Sequence, residues 1–168
     1  VGPLPGSRHL AVVAVNTTLG IDPGMSGALA WLDGMGNLLD AIDMPIMDKR
    51  LNVVDLGHAL ARIDDNTIAV VEQVHSMPGQ GVSSTFKFGT AYGAVLGGLG
   101  ALQIRTEHVT PQTWKKHHGL IGKDKDAARA KAIDRWPSKA QLFARKKDCG
   151  RADAALIALW HIERRAVS

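Results

Sequence analysis

The sequence predicts an α/β protein in which helices flank a mixed five-stranded sheet. Short apolar runs bounded by turn residues alternate with longer segments whose apolar residues recur at helical spacing. The first three apolar runs are separated only by turns, whereas the later ones alternate with helices. A three-stranded meander followed by alternating helices and strands is typical of a mixed sheet covered by helices.

Five apolar runs predict the strands. The turn signal Asp33-Gly34-Met35-Gly36-Asn37 lies between two of these runs and predicts a hairpin. Pro45 ends the third run. The predicted strands span residues 11–22, 28–32, 38–44, 67–71 and 102–108.

Five further segments are predicted as helices. Apolar residues from Val53 to Ile63 recur at the spacing of an amphipathic helix. Thr110 followed by Pro111 is typical of a helix start, and Pro137 ends the fourth predicted helix. The predicted helices span residues 51–63, 84–99, 123–136 and 151–165, with a short one beginning at residue 111.

Glycines on the second predicted helix indicate a close contact. Gly89, Gly93 and Gly97 lie four residues apart, and each glycine costs a helix about 1 kcal/mol relative to alanine. Three on one face therefore indicate that another backbone approaches closely. Either the sheet of the same chain or the same helix of a second subunit fits, and we expect both to contribute.

Composition limits the class of protein. The 168 residues suffice for one domain, which we place at residues 10–168. We expect residues 1–9, with two prolines and two glycines, to be a disordered arm or a remnant of cloning. The single cysteine, Cys149, excludes an internal disulfide and favours a reducing compartment. No apolar run has the length of a membrane span, so we expect no membrane partner.

Charge is distributed unevenly along the chain. Residues 115–151 carry 12 Lys and Arg against 4 Asp, whereas the remainder carries 8 basic and 12 acidic residues. A face that binds a polyanion explains such a basic cluster, although a solvated helix surface is the more usual explanation of a single run of charges. This division suits a nuclease, in which acidic residues hold the metal and basic residues hold the phosphate backbone.

Three carboxylates lie at the ends of predicted elements. Asp22 lies where the first strand meets a glycine-rich turn, Glu72 follows the apolar run 68–71, and Asp153 opens the last helix. Because the two strands are neighbours in the predicted sheet, the three acids can converge. Hard oxygen ligands suit Mg²⁺ or Mn²⁺, and two such ions roughly 4 Å apart support phosphodiester cleavage.

Each acid also has a simpler explanation. Asp-Pro-Gly is a common turn, and Asp153 is a favourable charge at a helix N-terminus. Glu72 is harder to dismiss, because a strand-end glutamate beside a core is costly without a partner. Together, in this order of strands and helices, the three acids predict a divalent-metal site. Asp148, just before the last helix, is the candidate fourth ligand.

An ordered set of motifs runs from about Leu19 to Glu163. Its members are Gly20-Ile21-Asp22-Pro23-Gly24 with Ser26-Gly27-Ala28, Val71-Glu72-Gln73, Ser84-Thr85-Phe86-Lys87-Phe88-Gly89 with Tyr92-Gly93, Val109-Thr110-Pro111 with Trp114-Lys115, and Gly150-Arg151-Ala152-Asp153-Ala154-Ala155. This set resembles the RuvC-like Holliday junction resolvases, in particular phage and prophage members, of the RNase H-like superfamily. The resemblance implies an RNase H-like fold and a dimeric endonuclease that nicks two opposing strands of a four-way DNA junction.

The resemblance also implies metal ligands. It makes Asp22, Glu72 and Asp153 the ligands of Mg²⁺, with two ions in each active site and Mn²⁺ able to substitute. Many members carry another acid or a histidine three residues before the last aspartate. That position is Gly150 here, which leaves Asp148, two residues earlier, as the candidate.

Basic and aromatic side chains complete the predicted site. Some members place catalytic lysines after the fifth strand, where Lys115 and Lys125 lie here; a plain phosphate contact is the alternative for each. Phe86 and Phe88 cannot face the same way on a helix, so we expect one to be buried and the other available to stack on an opened base. The predicted DNA contacts are His75, Ser84, Phe86, Lys87, Lys115, Lys116, Lys123, Lys125, Arg145, Lys146, Lys147 and Arg151.

Several alternatives remain open at this stage. The same fold could serve a less selective branched-DNA, flap or RNA nuclease, and Gly150 permits a catalytically inert junction-binding protein. The glycine-rich turn is also similar to the phosphate loop of actin-like sugar kinases, but the chain has no room for their second domain, so we expect no nucleotide cofactor. His117-His118 is discounted as a zinc site, because no further ligand lies at the usual spacing. We expect a location in the cytoplasm of a bacterial or phage-infected cell.

Overall fold

The central sheet matches the prediction. A computed structural model describes residues 16–63, 66–73 and 81–166. The strands are β1 (Thr18–Asp22), β2 (Ala28–Leu32), β3 (Leu38–Asp43), β4 (Ile46–Met47), β5 (Arg50–Leu51), β6 (Ile68–Glu72) and β7 (Arg105–Val109). Five of them form a sheet in the order β3-β2-β1-β6-β7. The strands β1, β2 and β3 are antiparallel, whereas β6 runs parallel to both β1 and β7, which confirms a mixed five-stranded sheet.

Each predicted helix is present in the structure. The helices are α1 (Val53–Leu60), α2 (Val82–Ala101), α3 (Pro111–His117), α4 (Lys125–Arg135) and α5 (Cys149–Ala166), and two 3₁₀ segments, Pro137–Phe143 and Lys146–Asp148, lie between α4 and α5. The side chain of Thr110 caps α3 by accepting the Thr113 N–H, as its sequence predicts. Across the residues that the structure describes, no helix has the length and apolar character needed to cross a membrane.

Some boundaries differ from the predictions. The helix α1 begins after Asn52, whose side chain caps it, and ends at Leu60, three residues before the predicted end. The helix α5 begins at Cys149, two residues earlier than predicted, because a 3₁₀ segment leads directly into it. The first strand was predicted over 11–22; its described part is Thr18–Asp22, and residues 11–15 lie outside the described residues.

The two faces of the sheet carry separate hydrophobic cores. Side chains alternate along β1, so Leu19 and Ile21 pack with α1 and α2, while Gly20 faces α5. In β2 and β6, Ala30 and Val70 belong to the α5 side. Residues on the same face of the sheet as Gly20 therefore point toward α5. Asp22, the last residue of β1, is one of them.

The helix α5 lies unusually close to β1. A Cβ atom added to Gly20 would lie 2.0 Å from the carbonyl oxygen of Ala154 and 2.8 Å from the nitrogen of Ala158. Since these contacts are with backbone atoms, only glycine fits at this point of the strand. The small residues of α5 and Gly20 together hold the N-terminal end of α5 near the carboxyl end of β1.

A short hairpin was missed by the sequence analysis. The strands β4 and β5 pair through a turn in which Asp48 and Lys49 have φ values of 50° and 59°. Two consecutive positive φ angles are typical of a type I′ turn, whose usual signature is Asn-Gly or Asp-Gly. Asp48-Lys49 lacks that glycine, so the turn carries no clear sequence signal.

The expectation for the α2 glycines was half wrong. Among the residues that the structure describes, no atom outside the adjoining backbone of α2 lies within 4 Å of a Cβ built on Gly89, Gly93 or Gly97, so the sheet does not pack against them. Gly98 of α2 packs instead against α1, since an added Cβ would lie 2.8 Å from Leu60 Cδ1. The face of α2 that carries these three glycines is therefore left uncovered by the described part of the chain.

Candidate active site

Two of the three predicted acids lie side by side at the carboxyl ends of parallel strands. Ile21 of β1 pairs with Val71 of β6, so the next residues, Asp22 and Glu72, are neighbours at the same edge of the sheet. Alternation along each strand directs both carboxylates to the face covered by α5. The charge of Asp22 reaches Glu72 and raises its pKa, which places the two groups within electrostatic range.

The third acid faces the same place from α5. Asp153 lies in the second turn of this helix and lines a cleft of about 540 Å³ together with Asp22 and Lys115. The floor and walls of this cleft come from the β1–β2 turn, α3, the segment before α4 and the start of α5. The remaining lining residues are Ser26, Leu120, Ile121, Gly122, Lys123, Asp124, Ala128, Lys146, Lys147, Cys149 and Gly150.

Glu72 is held in place by a buried tryptophan. The indole Nε1–H of Trp114 donates a hydrogen bond to Glu72 Oε1 at 2.8 Å, and Trp114 is fully buried. This contact leaves Oε2 as the oxygen available to a metal ion. The motif Trp114-Lys115 belongs to the family pattern, but nothing in the sequence showed which side chain Trp114 would touch.

Burial raises the pKa of both strand-end acids. For Asp22 the loss of water outweighs the hydrogen bond from the Gly24 N–H and the charge of Lys115, both of which lower its pKa. For Glu72 burial is again the main cause; the charge of Asp22 also raises the pKa, while the hydrogen bond from Trp114 and the charge of Lys115 oppose it. Both carboxylates are partly buried, and the positive charge near them does not offset the burial that raises their pKa values, a balance that a bound divalent cation would shift toward the ionised form.

The donor set fits a hard cation. Asp22, Glu72 and Asp153 offer only carboxylate oxygens, which suit Mg²⁺ and Mn²⁺ better than softer metals. The three carboxylates are not drawn tightly together, however. Over the described part of the chain, the one set of three metal-binding side chains with donor atoms all within 4.8 Å of one another is His117, His118 and Glu163.

Asp148 was predicted as the fourth metal ligand, and its surroundings contradict that role. Its side chain is 0% exposed, and it accepts hydrogen bonds from the Arg145 backbone N–H, Nε and Nη2. Burial by itself would raise the pKa of Asp148, but the bonds from Arg145 outweigh it and hold the pKa below its usual value. Asp148 therefore fastens the 3₁₀ segment before α5 and does not line the cleft.

Gly150 explains why no acid occupies the family position. A Cβ at Gly150 would lie 2.4 Å from the carbonyl oxygen of Ser26 and about 3 Å from two backbone atoms of Gly27. The first turn of α5 thus rests directly on the β1–β2 turn, and any side chain would push the two apart. The packing excludes a ligand at this position.

The predicted basic residues divide into two groups. Lys115, Lys123, Lys146 and Lys147 line the cleft, and Lys115 acts on the pKa of both strand-end acids. Lys116 is exposed but does not line the cleft. Lys125 begins α4, and its side chain lies outside what the structure describes.

The two predicted arginine contacts have partners within the protein. Arg151 is only 17% exposed and binds Asp43 through Nε and Nη2 at 2.6 and 2.9 Å. Arg145 holds Asp148 and lies 3.9 Å from Asp43. Both arginines therefore join β3 and the 3₁₀ segment to α5, and their contact with DNA stays a prediction.

A second groove lies beside the start of α2. Phe86 is 75% exposed there, whereas Phe88 is half-buried and stacks on Tyr92 with ring centroids 6.1 Å apart. The exposed member of the pair is thus Phe86. The groove holds about 490 Å³ and is lined by Met25, Lys49, Arg50, Leu51, Val53, Ser83, Phe86, Lys87 and Thr90.

This groove contains residues that sequence reasoning missed. Lys49 and Arg50 come from the β4–β5 hairpin, whose turn carries no glycine signal. Met25 links the groove to the β1–β2 turn, which also borders the cleft through Ser26. Predicted Ser84 is exposed at the start of α2, and predicted His75 lies outside the described residues.

Comparisons with known proteins agree with the fold. The chain is 35% identical over 91 residues, 54% of its length, to the chloroplastic Holliday junction resolvase MOC1 of Chlamydomonas reinhardtii. The matched region is 10% of that relative, so the chain spans about a tenth of the length of the curated protein it matches. No family model matches the chain.

Solved structures match over most of the chain. RuvC of Thermus thermophilus in complex with a Holliday junction substrate has a TM-score of 0.57 at 19% identity and covers 90% of this chain and 96% of its own. The yeast mitochondrial Holliday junction resolvase has a TM-score of 0.55 at 13% identity, covering 89% and 80%. These matches define the class as an RNase H-like α/β fold. Within that class, the resemblance to RuvC-like resolvases that the motifs indicated is confirmed.

Proposed function

We propose that this protein is a metal-dependent endonuclease that resolves four-way DNA junctions. The observation that carries the proposal is that Asp22 and Asp153 line one lysine-bearing cleft, with Glu72 next to Asp22 at the same edge of the sheet. Relatives named as Holliday junction resolvases, one by sequence and others by fold, support the junction as substrate.

The three acids are the proposed ligands of the metal. When bound, a pair of Mg²⁺ or Mn²⁺ ions supplies an activated water and stabilises the leaving oxygen. The protein's own part is to present carboxylates from rigid elements. Trp114 orients Glu72 through the 2.8 Å hydrogen bond, and the hydrogen bond from the Gly24 N–H orients Asp22.

Lys115 is the proposed electrostatic partner of the reacting phosphate. It lines the cleft beside Asp22, and its charge already acts on both strand-end acids. A fixed cation at this point stabilises the negative charge that develops on the phosphorus centre during attack. Lys123, Lys146 and Lys147, on the other walls, bind the flanking phosphates.

The groove beside α2 is the proposed contact with the junction centre. Phe86 is an exposed aromatic next to Lys49, Arg50 and Lys87, a combination that suits an unpaired base and its phosphates. Met25 connects this groove to the turn that borders the cleft. A DNA strand that is bound at Phe86 can therefore extend into the cleft toward Asp22 and Asp153.

A symmetric dimer follows from the proposed substrate. A four-way junction has two-fold symmetry, and paired nicks in opposing strands require two equivalent sites. The open glycine face of α2 supports a helix-to-helix contact between subunits, because it lets a second backbone approach. The expected products are a 5′-phosphate and a 3′-hydroxyl that a ligase can seal.

The test is cleavage of a labelled four-way junction with Mg²⁺, compared with linear duplex, flap and RNA substrates. We expect paired symmetric nicks in the junction alone, abolished by Asp22→Asn. The matched control is Asp55→Asn, which changes an exposed aspartate on α1 to the same residue and leaves cleavage intact. Equal cutting of flaps, duplexes or RNA would assign the site to a less selective nuclease.

An inert junction-binding protein is the second candidate. It is favoured by the lack of a ligand at the two positions where a fourth one was expected: Gly150 is closed off by Ser26, and Asp148 is paired with Arg145. This candidate predicts tight junction binding with no nicks in Mg²⁺ or Mn²⁺. Binding without cleavage in both metals would decide in its favour.

A further inference from the structure

A second cluster of metal-binding side chains lies on the far side of α5 from the β1–β2 turn. His117 ends α3, His118 follows it, and Glu163 comes from the last turns of α5. One nitrogen of each histidine and one oxygen of Glu163 lie within 4.8 Å of one another. They line a cavity of about 370 Å³, separate from the cleft with Asp22 and Asp153.

We propose that His117, His118 and Glu163 form a binding site for a borderline divalent transition metal, with Zn²⁺ as the best fit. Two imidazoles and one carboxylate are a donor set that zinc uses with water in the fourth position. Mg²⁺ prefers oxygen ligands and fits the set poorly. The proposal does not depend on the nuclease function, because none of these residues lies in the candidate active site.

His118 is built as a metal ligand. Only 6% of it is exposed, and its Nε2–H donates a hydrogen bond to the carbonyl oxygen of Leu156 at 2.8 Å. A carbonyl oxygen can only accept, so Nε2 carries the hydrogen and Nδ1 of the neutral ring carries the lone pair. Ligating histidines usually show this arrangement, with the second nitrogen tied to a backbone carbonyl.

The other two proposed ligands, His117 and Glu163, are hydrogen-bonded to each other. His117 Nε2 donates to Glu163 Oε2 at 2.7 Å, and the side chains are 33% and 43% exposed. An ion can therefore reach the pair from solvent and take the place of the Nε2 hydrogen, with that proton moving to Nδ1 of His117 or being released to water. Asp134 lines the same cavity and, with Glu163, balances the charges of Lys131 and Arg135 there.

The ion would join two helices that carry the candidate active site. The helix α3 bears Trp114 and Lys115, and α5 bears Asp153. A metal bridge from the end of α3 to α5 restrains the segment that orients Glu72. A structural staple is therefore the role that the position of the site suits.

The test is equilibrium dialysis of the whole protein against micromolar Zn²⁺ with excess Mg²⁺ to occupy the all-carboxylate site. We expect one Zn²⁺ per chain and a rise in Tm of about 5–10 °C at a hundredfold excess over Kd. Removing a residue that only supports a metal ligand weakens metal binding roughly 10–100-fold. Because His117→Gln and Glu163→Gln each remove a proposed ligand itself, each should weaken zinc binding at least that much.

Controls separate this site from other sources of zinc binding. His58→Gln removes an exposed histidine that faces Asp55 and should leave zinc binding unchanged. His118→Gln can disturb folding because His118 is buried, so the two exposed variants decide the outcome. No bound zinc in the wild type, or binding that survives both exposed substitutions, overturns the proposal whether or not the protein cleaves junctions.

Discussion

At the scale of single residues, Trp114 is the side chain that sets the geometry of Glu72. It is fully buried and contributes both apolar packing and the 2.8 Å hydrogen bond to Glu72 Oε1. The indole thus limits the rotation of the carboxylate and leaves Oε2 as the ligand atom. Trp114 would act on the metal only through Glu72 and is therefore a positioning residue.

Trp114→Phe removes this hydrogen bond and keeps most of the packing. We expect junction cleavage to require a higher Mg²⁺ concentration, with metal affinity or activity reduced about 10–100-fold. A titration of initial rate against Mg²⁺ measures the change. Saturating Mg²⁺ should recover much of the rate; an unchanged Mg²⁺ dependence would show that Glu72 is positioned without the indole.

Asp22 is predicted to destabilise the metal-free protein at neutral pH. Burial raises its folded-state pKa above the unfolded value, so the folded state holds the proton more tightly. The stability that this proton supplies is fully present below the ordinary pKa of aspartate and is lost as the pH rises through the raised pKa. Asp22→Asn removes the buried charge and can still accept the Gly24 N–H.

Thermal unfolding against pH tests this expectation. Without metal at neutral pH, Asp22→Asn should have the higher Tm, since each kcal/mol gained is worth about 2–4 °C in a domain of this size. The difference should shrink as the pH falls toward about 4, the ordinary aspartate value. Mg²⁺ should raise the Tm of the wild type more than that of the variant; a variant less stable at neutral pH would contradict the argument.

At the scale of secondary-structure elements, the approach of α5 to the β1–β2 turn creates the cleft. Two glycines permit it: Gly20 faces Ala154 and Ala158, and Gly150 rests on Ser26 and Gly27. The same packing places Asp153 beside Asp22 and removes the position where the resembled family carries another acid. The close packing of α5 therefore explains both the shape of the cleft and the absence of an acid at position 150.

Gly150→Asp should destabilise the protein and fail to create a working fourth ligand. Its Cβ would overlap the Ser26 carbonyl, and overpacking of this kind costs about 1–3 kcal/mol. Chemical denaturation measures the loss, with Gly57→Ala as control. Gly57 is a helical glycine with open space around it, so alanine there should stabilise by about 1 kcal/mol. A stable Gly150→Asp variant with enhanced cleavage would show that α5 can shift.

The start of α2 presents Phe86 to solvent. Phe86→Ala should weaken binding of a four-way junction, because stacking on one base is worth about 1–3 kcal/mol. The Tm should not change, since the side chain is 75% exposed. Val82→Ala, an 87% exposed apolar residue on the same helix, is the control. Equal effects of the two substitutions would argue against stacking.

At the scale of the whole molecule, four lysines from the basic segment 115–151 converge on the cleft that holds Asp22 and Asp153. Lys115, Lys123, Lys146 and Lys147 are spread over 33 positions of the chain, yet all line the cleft. Several arginines in the same stretch bind carboxylates of the protein, so the net charge of the segment overstates what is available to DNA. The lysines are the cations that remain for phosphates.

Replacing Lys146 and Lys147 by alanine should therefore reduce the salt dependence of junction binding. Each phosphate that the protein no longer neutralises lowers the slope of log K against log salt by about 1. Fluorescence anisotropy at several salt concentrations gives the slope. Arg105 begins β7, whereas Glu72 of β6 pairs with the last residue of that strand. Arg105→Ala should therefore leave the slope unchanged. An equal effect of Arg105→Ala would indicate that charge acts over the whole surface.

The sequence by itself determined the order of the five sheet strands and five helices, the antiparallel meander and the position of Asp22 and Glu72 at the ends of neighbouring strands. These follow from local patterns: apolar periodicity, the Asp33–Asn37 turn and the position of each acid at an element end. The resemblance of the motifs also predicted the fold, which the solved structures match. Where a signal was absent, as in the Asp48-Lys49 turn, the element was missed.

Only the tertiary structure decided which side chains are available and which are already paired. Asp148 and Arg151 looked like site residues in the sequence, but folding buries the first against Arg145 and ties the second to Asp43, 108 residues away. The contact of Trp114 with Glu72 and that of His117 with Glu163 likewise join distant positions. Such pairings depend on how α3 and α5 pack over the sheet, because side-chain partners are chosen by proximity in the fold and leave no trace in local sequence spacing.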